Sequence, residues 1–96
     1  MIDTLISAIE NRQEIKFTYS GSPRIAQPAA VGESSKGSLV LRCYQTQGEH
    51  VTPGHEWDLC SISDIEELEI TTDTFLVDPP DYKRGDRNLR RIYAQL

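Results

Sequence analysis

Few side chains in this sequence carry chemistry, and most of those point to binding. Arg42 stands in an otherwise apolar run, Leu39-Val40-Leu41-Arg42-Cys43-Tyr44. In a strand, Arg42 and Tyr44 share a face and Leu41 and Cys43 take the other. A guanidinium beside an aromatic ring suits a phosphate next to a stacked base. The competing reading puts Arg42 on the outer face of a sheet, paired with a Glu. Arg24 is a second cation in an acidic stretch, and a surface ion pair is its alternative role. Tyr19 and Trp57 are large aromatics at strand positions. Either packs a core or, for Trp57 after a polar loop, lines a groove mouth. His55 lies in that same loop and completes the candidate ligand set of Tyr19, Arg24, Arg42, Tyr44, His55 and Trp57.

Catalysis finds little support. The sequence holds no G-x-S-x-G, no phosphate-binding Walker loop and no H-E-x-x-H. His50, His55, Cys43 and Cys60 lack the close pairwise spacing of zinc ligands, so neither metal nor cofactor is expected. Asp64, Glu66, Glu67 and Glu69 read as a solvated strand edge rather than an acid–base pair. The two cysteines are expected to be small buried hydrophobes. A non-enzymatic binding role is the expectation.

Charge is unevenly distributed. Of the net −5, residues 1–80 carry −8 and residues 81–96 carry +3, the latter through Lys83, Arg84, Arg87, Arg90 and Arg91. An acidic body argues against sequence-specific duplex DNA binding, which needs many cations on phosphates. The basic segment can touch a nucleic acid, dock on its own acidic body or face water. No apolar run is long enough to span a bilayer. No basic-then-apolar leader opens the chain, so a cytoplasmic location is expected.

The elements that must position these residues follow from periodicity. Ile2, Leu5, Ile6 and Ile9 form one helical stripe, predicting a helix over about 3–12 with Asp3 or Thr4 as its cap. Ile15, Phe17 and Tyr19 alternate as a half-buried strand, and a turn at 20–23 leads to a short strand at 24–27. Pro28 marks a strand end or sheet edge. A strand piece and turn fill 31–37, and 38–44 is the best strand. Gln45 to Glu56 reads as a long loop. Strands follow at 57–62 and, after a break at 63–64, at 65–71, where Ser63-x-x-Glu66 also permits a helix. Leu89, Ile92, Tyr93 and Leu96 recur at helical spacing. They predict a short C-terminal amphipathic helix capped by Asp86, whose stripe covers the body or a second subunit. A 96-residue chain of this kind is one modest domain over 1–78 with a basic tail over 79–96. Short strands with tight turns suggest a small mainly β barrel with flanking helices, since closure removes exposed edges.

The order and spacing resemble the WYL domain family. Ala8-Ile9 followed by Ile15, Phe17 and Tyr19 matches its opening; Arg24 and Pro28 match a basic residue before a proline. Gly37, Leu39-Val40-Leu41 and Tyr44 match the glycine and apolar strand, and Trp57, Leu59, Ile62, Ile65 and Leu68 the closing pattern. The resemblance spans about residues 5–75 and consists of many weak matches in order. It implies an Sm-like or SH3-like barrel used as a ligand-sensing module in bacterial or phage-defence regulation. Its implied ligands are nucleotides or single-stranded nucleic acid. Two departures stand out: Leu39-Val40-Leu41 replaces the naming tripeptide, and Cys60-Ser61-Ile62-Ser63-Asp64-Ile65 lacks the family's two arginines. With no helix-turn-helix, the chain resembles short stand-alone relatives. A regulatory nucleotide-binding module is the first expectation, and a homodimerising or protein-adaptor role is the second.

Overall fold

A computed structural model describes residues 1–48 and 53–96. Helix α1 (Ile2–Glu10) precedes β1 (Gln13–Tyr19), β2 (Ser22–Ser34), β3 (Leu39–Gly48) and β4 (Trp57–Ser61). A 3-10 turn at Ile62–Asp64 leads to β5 (Ile65–Thr74), and β6 (Leu89–Gln95) ends the fold. All strand pairs are antiparallel, in the order β4-β3-β2-β1-β5, with β6 also on β2.

The helix forms where its apolar stripe predicts, with Leu5, Ala8 and Ile9 buried against β1, β2 and β6. Its N-cap is Met1 rather than Asp3 or Thr4, and no side chain caps it. The core joins that stripe to Ile15, Phe17, Ala26, Val31, Leu41, Cys43, Cys60, Ile62 and Ile65. Alternation along β1 and β3 sends these residues inward.

Three expectations are corrected. The first is the break at Pro28: β2 runs through it for 13 residues. β1 pairs β2 only as far as Ala26, and β6 takes over at Ala30. The proline's missing N–H falls in the gap between those two partners.

The second is the C-terminal helix, which is instead strand β6. The outer half of β2 has an edge that β1 does not reach. Residues 89–95 satisfy its N–H and C=O groups. Two register shifts along β6 let Leu89 and Ile92 pack with Ala30 and Val40, while Ala94 and Leu96 reach the main core. The helical spacing of the apolar residues thus comes from a bulged strand. Gly32 makes the approach possible, since a Cβ there would lie 2.0 Å from the Arg91 carbonyl oxygen. Residues 79–96 therefore contribute a strand to the same sheet.

The third is closure, because the sheet is open rather than a closed barrel, with β4 and β5 as its ends. The Ser61 N–H, which a closing strand would take, donates instead to the Tyr19 hydroxyl at 3.1 Å. On β5, Glu66, Glu67 and Glu69 are exposed, in keeping with a charged, solvated edge. β3 runs to Gly48, so the long loop expected at 45–56 begins later; His50 lies outside the described residues.

Candidate functional site

Strands β3 and β4 pair with Arg42 opposite Leu59, Cys43 opposite Asp58 and Tyr44 opposite Trp57. Alternation puts Arg42, Tyr44, Trp57 and Leu59 on one face and Cys43, Asp58 and Cys60 on the other. Five of the six candidate ligand residues divide along this line, and His55 belongs to neither face.

On the outer face, Tyr44 stands edge-on to Trp57, with ring centroids 5.3 Å apart and planes at 69°. The connection from β5 to β6 folds across this face. Trp57 Nε1–H donates to the Pro80 carbonyl at 2.9 Å, and Tyr82 stacks on the indole at 6.4 Å and 27°. Tyr82 Oη donates to the Leu96 main-chain oxygen at 3.0 Å, tying the connection to the end of β6.

Between this connection and the sheet lies a cleft of about 580 Å³, lined by Arg42, Trp57 and residues of the 81–87 segment. Its cations are Arg42, Lys83, Arg84 and Arg87, and its carboxylates are Asp81 and Asp86. The volume lies within the range of small-ligand sites. Arg84 Nε–H donates to the Leu96 oxygen at 3.2 Å. Lys83 and Arg87 are exposed and form no ion pair among the described residues.

Arg42 is held by Asp86, with Nε 2.7 Å from Oδ2 and Nη2 3.5 Å from Oδ1. Asp86 is therefore not a helix cap. Its Oδ1 accepts the Asn88 N–H at 2.9 Å and its carbonyl accepts the Leu89 N–H, forming the turn into β6. Burial raises the Asp86 carboxyl, but hydrogen bonds from Arg42 and Asn88, with the Arg42 charge, outweigh it and hold the group below its usual range.

Arg24 and Tyr19 belong to the inner face, away from the cleft. The Arg24 guanidinium lies 5.1 Å from the Tyr19 ring centroid, and its Nη1 is 3.5 Å from Asp58 Oδ2. Its buried Nε has no hydrogen-bond partner among the described residues. Burial raises the Asp58 carboxyl against the pull of Arg24 and Arg42. Beside them lie Cys43 and Cys60, both free and buried. A hydrogen bond with Cys60, then complete burial, pushes the Cys43 thiol well up. His55 is exposed just before β4 and lines neither cluster.

Arg42 thus shares the outer face with Tyr44 and is held in an ion pair, as its competing reading has it, but with Asp86 and not a Glu as the partner; Trp57 lines the cleft. Tyr82, Lys83, Arg84, Asp86 and Arg87 were not among the candidate residues. Their signal was the charge segregation, which marks 81–96 as basic without saying what it faces. No three metal-ligating side chains come together among the described residues, and no helix among them is long and apolar enough to cross a membrane. Comparison with the profiles of known protein families, with curated proteins and with solved structures finds no match.

Proposed function

We propose that this chain is a non-enzymatic, WYL-like binding module that holds an anionic, ring-bearing ligand of the nucleotide class in the Trp57 cleft. A nucleotide or the end of a short single strand fits the chemistry offered there. One observation carries the reading. In a chain of net charge −5, four cations and an indole gather around one cleft of about 580 Å³ and outnumber its two carboxylates. Cations in such a concavity concentrate anions locally despite the acidic body. Lys83, Arg84 and Arg87 suit phosphate oxygens, and the Trp57 indole suits a base. Arg24, Tyr19 and His55 are left out of the ligand set.

The test is ligand capture by thermal shift and calorimetry, using mononucleotides, cyclic nucleotides and short single strands. Saturable binding of a phosphate-bearing member supports the reading; no binding by any of them removes it.

A homo-oligomeric or adaptor role is the second reading. The apolar C-terminal stripe that suggested it is occupied in β6, but Leu76 and Val77 stand adjacent and 89% and 80% exposed. Light scattering on the intact chain and on a Leu76→Ser/Val77→Ser variant tests it. A monomer in both removes it.

A further inference from the structure

The cleft already contains an anion of its own. The Asp86 carboxylate spans Nε and Nη2 of Arg42, the edge through which a guanidinium grips a phosphate. The two side chains are 22% and 12% exposed for Arg42 and Asp86, so water screens the pair only partly. Asp86 is fixed in that position by its bond from the Asn88 N–H. Gly85, at φ +79° with open space around it, precedes Asp86 in the connection. Lys83 and Arg87 line the same cleft and form no ion pair among the described residues.

We propose that Asp86 is a specificity-determining residue, a tethered carboxylate that an incoming anion must displace from Arg42. The proposal rests on the reading of the cleft as an anion site. A tethered group competes at an effective concentration of about millimolar or more. A free monocarboxylate brings the same charge and the same geometry, so it gains nothing by exchange. A phosphate dianion brings a second charge, which Lys83, Arg84 and Arg87 can meet. Asp86 thereby excludes simple carboxylates and admits phosphate esters.

Two isosteric variants separate this from a general charge effect. Asp86→Asn removes the competing charge, and its amide oxygen still accepts the Asn88 N–H, so the turn survives. Asp81→Asn removes the same charge from the same cleft without touching Arg42. Inorganic phosphate, adenosine 5′-monophosphate and acetate are titrated into all three proteins by calorimetry. Asp86→Asn is expected to bind inorganic phosphate about tenfold more tightly than the parent and to acquire acetate binding. Asp81→Asn is expected to gain about twofold on phosphate and nothing on acetate. Equal gains in the two variants overturn the role of Asp86 and leave the anion site standing. Absence of saturable binding of either phosphate compound by all three proteins overturns both.

Discussion

Replacing Arg42 by methionine isolates one of the contacts that join the β5–β6 connection to the sheet. Arg42 and Asp86 make one short charge-assisted hydrogen bond and a second at the distance limit. Such bonds contribute about 1.5–3 kcal/mol, and the substitution leaves Asp86, only 12% exposed, without its cation. The expected loss is about 2 kcal/mol at neutral pH, a fall in Tm of about 10 °C for a domain of this size. Trp57 is the only tryptophan and sits against the same connection, so its fluorescence reports urea unfolding at the relevant place. The pH dependence carries a sign. The fold depresses the Asp86 pKa, so its stabilisation is fully present above the unfolded carboxylate value of about 3.9. It is lost as pH falls through the lower folded value. The gap between parent and Arg42→Met therefore narrows as the solution is acidified through that window. In a double-mutant cycle, Arg42→Met with Asp86→Asn should cost about 1 kcal/mol less than the sum of the single changes. A loss under about 0.5 kcal/mol, or full additivity, would refute the idea that this pair holds the cleft's wall.

Gly32→Ala drives a Cβ into the Arg91 carbonyl and should lift β6 from β2; hydrogen exchange would then show β6 amides losing protection while β1 amides keep theirs. In the folded protein Cys43 and Cys60 should react with a thiol reagent only as fast as the fold opens, because both are buried and Cys43 is held as the thiol. Labelling that is fast and insensitive to stabilising conditions would contradict that.

Much of the frame was legible in the sequence because local pattern and tertiary partner agree there. Of the stripe Ile2, Leu5, Ile6 and Ile9, Leu5 and Ile9 are buried with Ala8 beside them while Ile2 and Ile6 are partly buried, and the alternation Ile15-x-Phe17 finds buried partners in register. The C-terminal strand was not legible. Leu89, Ile92, Tyr93 and Leu96 have helical spacing, but an unpaired edge on β2 outweighs that local preference, and bulges reconcile the spacing with a strand. Pro28 misled for a related reason, since its effect depends on which strands flank it and not on the proline alone. Of the site, the Arg42–Tyr44 face could be read from alternation. The pairing of Arg24 with Asp58 inside the sheet could not, nor could the arrival of Tyr82, Lys83 and Arg87 beside Trp57. Those depend on how a long connection crosses the sheet, which no local spacing encodes.

Titration of Trp57 fluorescence with adenosine 5′-monophosphate and with adenosine, on the parent and on Lys83→Glu/Arg87→Glu, bears most directly on the anion cleft. Both substituted side chains are exposed and without ion pairs among the described residues, so stability should change by less than about 0.5 kcal/mol. The parent should show a saturable change with the monophosphate and none with adenosine, and the reversed variant should show neither. Equal responses of the two proteins, or a flat titration of the parent with the monophosphate, would contradict it.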